Sequence, residues 1–247
     1  TKKKLNAKVF SSFEKETIFF EYARQAMKIG LEMFDFKKDQ EVLMPASLCP
    51  AVLEPFINLG LKVKLYNLDK LLNWTLTDIE SKITHNTKAI YVIHYFGIKF
   101  SLTELRDLCD EKGIILIEDC ALSGLSDLSD IETVGDFSIY SIWKFHAIPD
   151  GAILRLNKKL SSTNKLYLKS PNKIKFAKRL GKIMIKNLII KWSLPLNFFR
   201  LLLNKNSLIQ DDPPNDNYGD YYPIFDMSRY ARNIFLKEDL ELCAKRR

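Results

Sequence analysis

Residues 113–119 of the chain read GIILIED, and this run decides the fold class that the sequence predicts. The four apolar residues Ile114 to Ile117 are too few for a helix and rich in β-branched side chains, so they predict a strand buried on both faces. The run ends in two carboxylates, Glu118 and Asp119. An unpaired charge at a buried strand end is costly, so we expect Asp119 to have a cationic partner or a hydrogen-bond donor.

Further strands and helices alternate on both sides of this run. Short apolar segments predict strands at 41–45, 62–66, 88–94, 137–141 and 152–156. Apolar residues at helical spacing predict helices at 19–34, 47–59, 77–82 and 102–112, the last with a capping box of Ser101 and Glu104. This alternation predicts an α/β domain with a mostly parallel sheet flanked by helices. Chemistry gathers at the carboxyl ends of such strands, where His94, Asp119 and Ser141 stand.

Composition excludes several classes of protein. With 47% hydrophobic and 28% charged residues among 247, the chain is not intrinsically disordered. Its four cysteines show neither a disulfide framework nor a zinc pattern, so we expect no metal site and a cytoplasmic protein. No run of about 18 uninterrupted apolar residues predicts a membrane-spanning helix, and no signal peptide is recognisable.

The basic residues are concentrated in one segment. Residues 158–205 contain 13 Lys and Arg and no Asp or Glu, whereas the whole chain has a net charge of +8. No nucleic-acid-binding signature accompanies this charge, so we expect no nucleic-acid partner. Residues 173–192 form a basic amphipathic helical pattern. It favours packing on the domain or on a partner subunit, and the alternative is that residues 173–205 contact an anionic membrane.

Asp119, Ser141 and Lys144 together suggest a cofactor. An amine held among Ile142, Trp143 and Phe145 would have its charged form disfavoured, which makes a lysine a usable nucleophile. A lysine, an aspartate and a hydroxyl at strand ends are what pyridoxal phosphate (PLP) requires of a protein. Taken alone, this pattern leaves open that Asp119 is a loop or cap residue and that the Ser-x-x-Lys spacing arises by chance.

Several ordered motifs between residues 41 and 156 resemble one family. They are the strand and helix at 41–60, the run 78–90, His94-Tyr95-Phe96-Gly97, Ile117-Glu118-Asp119-Cys120-Ala121, the block 135–144 and Pro149-Asp150-Gly151-Ala152. In this order they resemble the DegT/StrS-type family of PLP-dependent sugar aminotransferases. The resemblance implies the large domain of the aspartate aminotransferase-like fold over residues 1–157. A basic helical insertion would follow at 158–209, and a polar loop and helix at 210–247.

The resemblance also assigns roles to residues. It implies that Lys144 forms the Schiff base with PLP, that Asp119 pairs with the pyridinium nitrogen and that Ser141 binds the phosphate. The phosphate-binding turn corresponds loosely to Tyr22-Ala23-Arg24-Gln25, where Ala23 would contribute through its backbone and Arg24 through charge, unless Arg24 is simply solvated.

Other positions keep or depart from the family pattern. Cys49 stands where many members stack an aromatic residue on the cofactor ring, and Leu122 where a Gln or His usually reaches its phenolic oxygen. His94 keeps its family position. A core hydrogen bond is favoured for it over a catalytic role.

The function implied is transfer of an amino group from an amino-acid donor to a nucleotide-linked keto-sugar, in cell-surface glycan or secondary-metabolite biosynthesis. The family's active site lies at a dimer interface, so we expect a homodimer. The resemblance leads us to expect that the family's small C-terminal domain is largely missing from the sequence. The alternative, favoured by Cys49 and Leu122, is a truncated and weakened relative that acts as a binding or scaffold subunit.

Overall fold

The structure is a computed structural model that describes residues 17–97, 101–123, 134–146, 148–157, 168–170, 176–181, 184 and 224–237. The predicted polar loop at 210–222 lies outside the described residues, as do most of the basic segment and the end of the C-terminal helical pattern.

A seven-stranded sheet forms the centre of the described part of the chain. Its strands are β1 (Thr17–Phe20), β2 (Glu41–Pro45), β3 (Lys62–Tyr66), β4 (Thr87–Ile93), β5 (Ile115–Asp119), β6 (Phe137–Tyr140) and β7 (Ala152–Leu156). They lie in the order β1-β7-β6-β5-β4-β2-β3. Of these seven, only β7 runs against its neighbours, since it pairs antiparallel with both β1 and β6. The predicted α/β fold with a mostly parallel sheet is confirmed.

Five α-helices whose bounds lie wholly within the described residues flank the sheet. They are α1 (Ala23–Met33), α2 (Glu54–Asn58), α3 (Leu76–Lys82), α4 (Thr103–Lys112) and α5 (Arg229–Phe235). Alternate residues of the central strands belong to different apolar cores, as expected for a sheet covered on both faces. Ile117 packs in the core that contains residues of α1 and α2, whereas Leu116 packs in the core that contains residues of α3 and α4. A third core includes Tyr140, Ile153 and residues of α5.

The N-terminal helix prediction was wrong at its start. Residues 17–20 form strand β1 and not the first turn of a helix at 19–34, and α1 begins only at Ala23. Pairing with β7 explains the difference, because Thr17 to Phe20 lie opposite Arg155 to Ala152. A short apolar strand next to an amphipathic helix continues the apolar pattern, so periodicity alone does not separate them.

Two other helix predictions were wrong in detail. The helix predicted over 47–59 is divided into a short 3₁₀ turn, Pro50–Val52, and α2. Pro50 and Pro55 each fit only the first turn of a helix, which accounts for the division. The capping box of Ser101 and Glu104 is absent: the N-cap position of α4 is Leu102, whose side chain makes no capping hydrogen bond, and Ser101 Oγ donates a hydrogen bond to Thr103 Oγ1.

Segments beyond residue 157 pack on this domain. Residues 176–181 are helical, and the Phe176 ring contacts the Tyr230 ring with centroids 5.9 Å apart. The backbone of residues 168–170 pairs with that of 224–226 through a bridge between Lys169 and Phe225. Among the helices described, none combines the length and the apolar character that a membrane crossing requires.

The close contact between α1 and the sheet requires a glycine at position 30, where no side chain separates the two. A Cβ built on this residue would lie 2.6 Å from Cε2 of Phe137 in β6. We predict that Gly30→Val lowers the free energy of unfolding by about 1–3 kcal/mol, because a well-packed core resists added volume. Urea denaturation measures the change. Gly181→Ala is the matched control, since nothing lies within 4 Å of its Cβ. Equal stability of Gly30→Val and the wild type would contradict this packing.

Candidate active site

Six strands end at the same edge of the sheet. The strands β2 to β6 are parallel, and β1 shares their direction because β7 is antiparallel to both β1 and β6. Residues that follow these strands therefore lie along one edge: Glu21 and Tyr22 after β1, Cys49 after β2, His94 after β4, Asp119 at the end of β5, and Ser141 and Lys144 after β6. This carboxyl edge is where α/β sheets bind ligands.

Asp119 is held by two hydrogen-bond donors. It is buried, with 7% of its surface exposed. Its Oδ1 accepts a hydrogen bond from the backbone N–H of Ala121 at 2.8 Å, and its Oδ2 accepts one from the hydroxyl of Tyr91 in the neighbouring strand β4. The expectation that a carboxylate at this strand end needs donors is met. The two bonds fix both oxygens of the carboxylate in place.

The surroundings of Asp119 have opposing effects on the pKa of its carboxyl group. Burial raises the pKa of the Asp119 carboxyl, and this effect dominates over the hydrogen bonds from Tyr91 and Ala121 and the nearby charge of Lys144, which lower it. Burial also raises the pKa of Tyr91 well above its ordinary value, and the Asp119 charge adds to that rise. Tyr91 therefore remains a hydrogen-bond donor at all ordinary pH values. A cation bound against Asp119 would favour its charged form.

Lys144 ends a single 3₁₀ turn, Ile142–Lys144, that follows β6. Its side chain is exposed, so the predicted enclosure by Ile142, Trp143 and Phe145 is absent. The reason is the turn itself, which directs Ile142 into the third core with Trp143 packed against it. Lys144 is close enough to Asp119 for its charge to affect that carboxylate. Ser141 caps the turn and is buried at the same strand end.

The His94 ring forms its hydrogen bond with Glu118 and not with the Asp119 carboxylate. Its Nε2 lies 2.8 Å from Oε2 of Glu118, which is almost fully buried. Alternation along β5 directs Glu118 and Asp119 to opposite faces of the sheet. The core hydrogen bond favoured for His94 is thus the contact observed. Cys120 lies close to this pair: the side-chain atoms of His94, Glu118 and Cys120 that could bind a metal ion lie within 4.8 Å of one another.

The loop after β2 is tied to the loop after β4. The Tyr95 hydroxyl donates a hydrogen bond to the carbonyl oxygen of Ser47, and burial raises the pKa of Tyr95 to about 12. Cys49, two residues after Ser47, is exposed. Leu122 packs against the core of the α1 and α2 face. Neither Cys49 nor Leu122 has the aromatic ring or the polar group that many members of the resembled family carry at these positions.

The start of α1 lies at the same edge and carries an ion pair. Arg24 Nη1 lies 2.6 Å from Glu54 Oε2, so Arg24 is not a solvated helix residue. Gln25 Oε1 accepts the N–H of Tyr22, and Gln25 N–H bonds to the Tyr22 carbonyl oxygen. The N–H groups of Ala23 and Arg24 have no acceptor within the helix, which is the usual state of a first helical turn. They can bind an anion at this edge.

Two contributors to the edge were missed in the sequence. Tyr91 is the residue of β4 whose side chain bonds to Asp119, and its signal was a hydroxyl-bearing residue inside the apolar run at 89–93 of that strand. Glu21 forms an ion pair with Arg179 from the basic segment, with 2.6 Å between Oε1 and Nη1. The two residues are 158 positions apart, so no local sequence pattern predicts this pair.

The geometry of this edge fits PLP. A buried carboxylate with both oxygens fixed can face a ring nitrogen, an exposed amine stands near that carboxylate, and the first turn of an 11-residue helix offers free N–H groups to a phosphate. The buried Asp119 also gains from a cationic partner, because burial disfavours its charge in the absence of one. Lys144 and Asp119, with Ala23 and Arg24 at the helix start, are the residues that would hold the cofactor.

Comparison with known proteins identifies the same class. The model of the DegT/DnrJ/EryC1/StrS aminotransferase family matches residues 8–150 of the chain, more than half of its length. Aminotransferases of this family use pyridoxal phosphate. The matched range contains every predicted site residue and ends before the basic segment.

Characterised relatives act on nucleotide-linked sugars. The chain is 28% identical over 134 residues to a dTDP-4-dehydro-2,3,6-trideoxy-D-glucose 4-aminotransferase of Saccharopolyspora spinosa, a match covering 54% of this chain and 34% of that protein. It is also 28% identical over 129 residues to the GDP-perosamine synthase of Vibrio cholerae, covering 51% of this chain and 35% of that protein. The matches thus span about a third of the length of these relatives.

Solved structures show the same fold. NtdA from Bacillus subtilis, solved with bound cofactor PMP, superposes with a TM-score of 0.55 at 18% sequence identity. The superposition covers 73% of this chain and 39% of that one. The aspartate aminotransferase-like fold expected from the sequence is confirmed for the described domain.

The raised pKa of Asp119 predicts a pH-dependent effect on stability. A folded-state pKa above the unfolded value of about 3.9 means that the folded protein binds more protons between the two values, so stability falls as pH rises through that window. Asn cannot ionise and escapes this cost. We predict that Asp119→Asn raises the Tm of the cofactor-free protein relative to wild type at pH 8 and not at pH 4.

Scanning calorimetry at the two pH values measures the difference. Asp107→Asn, at an exposed position of α4, is the matched control for the loss of one carboxylate. A Tm difference between Asp119→Asn and wild type that is the same at pH 4 and pH 8 would show that burial does not control the ionisation of Asp119.

Proposed function

The chain belongs to the DegT/DnrJ/EryC1/StrS aminotransferase family, and on that premise we propose that it binds PLP and transfers an amino group to a nucleotide-linked keto-sugar. The observation that carries the proposal is the placement of Asp119 and Lys144 at the ends of the neighbouring parallel strands β5 and β6, close enough for the lysine charge to act on the carboxylate.

PLP, when bound, supplies an electron sink that stabilises negative charge on the substrate carbon next to the amino group. Asp119 would hold a proton on the ring nitrogen, with the Tyr91 and Ala121 donors preventing the carboxylate from turning away. Lys144 Nζ would anchor the cofactor covalently. Once released, the same amine would carry the proton that leaves the substrate carbon, because it stands at the open face of the edge.

The phosphate would bind near the start of α1. The N–H groups of Ala23 and Arg24 point out of the first turn, and the helix dipole favours negative charge there. Ser141 would add its hydroxyl from the end of β6. Cys49 and His94 remain predicted neighbours of the cofactor: Cys49 is exposed beside the edge, and His94 would act indirectly because Glu118 already occupies its Nε2.

The proposal includes the wider setting of the reaction. One named relative is an aminotransferase of a dTDP-linked sugar and another is a synthase of GDP-perosamine, which supports a nucleotide-sugar substrate; the donor of the amino group is proposed to be an amino acid. A lipopolysaccharide biosynthesis protein of Salmonella typhimurium is 32% identical over 124 residues, which supports a role in cell-surface glycan synthesis. We further propose that the active protein is a cytoplasmic homodimer, in keeping with the family's active site at a subunit interface.

A second candidate function is a binding or scaffold subunit without catalysis. Cys49 and Leu122 favour it, because an exposed thiol and a core-packed leucine offer the cofactor ring neither stacking nor a hydrogen bond. The placement of Asp119 and Lys144 at neighbouring strand ends favours cofactor binding over this second candidate. The two candidates differ in whether PLP becomes attached to Lys144.

The basic segment is proposed to pack on the domain and not on a membrane. Phe176 contacts Tyr230, and Arg179 pairs with the buried Glu21, so both residues of the described helix at 176–181 face inwards. An apolar and a cationic side chain that already have partners are not available to an anionic lipid surface. Leu180, which is half-buried on the same helix, is consistent with this orientation.

The central prediction of the proposal is covalent attachment. Protein incubated with PLP and reduced with borohydride should carry one phosphopyridoxyl group on the peptide that contains Lys144, because this amine stands at the edge beside Asp119. Peptide mass spectrometry locates the label. Lys144→Arg keeps the positive charge and cannot form the bond, so it should remain unlabelled. Wild-type protein without label on Lys144 would refute the enzyme and favour the scaffold.

Asp119→Asn should reduce amino transfer by about two orders of magnitude or more while the fold persists, because a neutral amide does not hold a proton on the ring nitrogen. Single-turnover measurements with an amino-acid donor give the rate, and circular dichroism monitors the fold. Full activity of this variant would show that Asp119 has another role.

Packing of the basic segment predicts the behaviour of the protein towards lipid. The wild type should not co-float with vesicles containing phosphatidylglycerol at low salt, and Leu180→Asp should lower its Tm because a charge would enter an apolar contact. Lys178→Gln, at an exposed position of the same helix, should leave the Tm unchanged. Vesicle binding that weakens with added salt would establish membrane contact instead.

A further inference from the structure

The helix at 176–181 places a guanidinium at the start of α1. Arg179 Nη1 lies 2.6 Å from Glu21 Oε1, and its Cζ stands 4.6 Å from the centre of the Tyr22 ring. Glu21 directly precedes Tyr22, which is the N-cap residue of α1. The Arg179 side chain is 24% exposed and that of Glu21 only 5%. A residue outside the family-matched range 8–150 thus reaches the carboxyl edge of the sheet.

The backbone of Glu21 is held by two hydrogen bonds. Its backbone N–H donates to the carbonyl oxygen of Phe225 at 3.1 Å, and its carbonyl oxygen accepts from the N–H of Gly151 at 3.0 Å. The carboxylate itself is buried and paired with Arg179, and it lies one residue before the N-cap of an 11-residue helix. That position is favourable for the helix itself but opposes a second anion at the same N-terminus.

Other carboxylates face the same region. Asp150 is buried and accepts a hydrogen bond from the N–H of Ser228, and the charges of Glu21 and Asp226 both act on it. Asp226 forms a long ion pair with Arg232, with 3.7 Å between Oδ1 and Nη2. On the other side of the helix start, Arg24 is bound by Glu54. Among the described residues, Arg179 is the cation that directly neutralises Glu21.

We infer that Arg179 is a positioning residue for the cofactor phosphate: by neutralising Glu21, it keeps the first turn of α1 attractive to a dianion. This inference rests on the proposed PLP-binding function and extends it to the basic segment, which the family match does not include. Arg179 acts through Glu21 and not by touching the cofactor. The ring contact with Tyr22 holds the guanidinium beside the N-cap, so the neutralising charge stays at the helix start.

The test compares PLP with pyridoxal, which has the same ring and aldehyde but no phosphate. Arg179→Gln in the full chain should weaken PLP binding by about tenfold or more, since it leaves the Glu21 charge unpaired near the phosphate and one charge–charge interaction near a protein surface is of that order. Pyridoxal binding should change little. Titration followed by absorbance gives both Kd values at fixed ionic strength, and inorganic phosphate should compete with PLP less well in the variant.

Two further variants separate local neutralisation from other causes. Lys178→Gln removes the same charge from an exposed neighbouring position, and it should leave the Kd for PLP within about twofold of wild type. The double variant Glu21→Gln with Arg179→Gln removes the carboxylate together with its partner, and it should recover most of the lost PLP affinity. Recovery is expected because the repulsion, and not Arg179 itself, controls the phosphate.

The outcomes distinguish this inference from the proposed function. Equal weakening of PLP and pyridoxal in Arg179→Gln would assign Arg179 a purely structural role, and failure of the double variant to recover would do the same. An equal effect of Lys178→Gln would show that only the overall charge matters. Each of these results overturns the inference while PLP binding by the wild type stands. Wild-type protein that binds neither compound would overturn the proposed function itself.

Discussion

The buried carboxylate of Asp119 is the group on which the rest of the site depends. Its two oxygens are fixed by a hydroxyl from the neighbouring strand and by a backbone N–H two residues later. Both donors favour the charged form, yet burial outweighs them. The carboxylate is therefore oriented and incompletely stabilised, which is the condition in which a protonated ring nitrogen becomes its natural partner.

Charge pairing also organises the start of α1, where two carboxylates could repel an anion. Glu54 is paired with Arg24 from the helix itself, whereas Glu21 is paired with Arg179 from a segment far along the chain. The part of the chain that matches the family model therefore does not supply the cation that pairs with Glu21 at the start of α1. Segments 176–181 and 224–228 supply the missing cation and the backbone contacts to Glu21 and Asp150, so they belong physically to the site's surroundings.

Sequence reasoning succeeded where structure is set locally and failed where partners are distant. The strand 41–45 and the carboxylate after 114–117 followed from short apolar runs, and the order of motifs led to Lys144 and Asp119. The burial of Lys144 was predicted wrongly, because a single 3₁₀ turn decides which of its neighbours enters the core. Strand β1 was missed because its existence depends on pairing with β7. The contacts of Tyr91 and Arg179 depend on strand order and on packing over 158 positions, which no local pattern records.

The central claim is that Asp119 holds a proton on the cofactor's ring nitrogen. Nitrogen-15 NMR of PLP labelled at that atom reads this proton directly, because the chemical shift of a pyridine nitrogen changes strongly on protonation. With the cofactor bound to wild-type protein at pH 8, we predict the shift of a protonated nitrogen, and the shift of an unprotonated one in Asp119→Asn. An unprotonated nitrogen in the wild type, or the same shift in both proteins, would contradict the account.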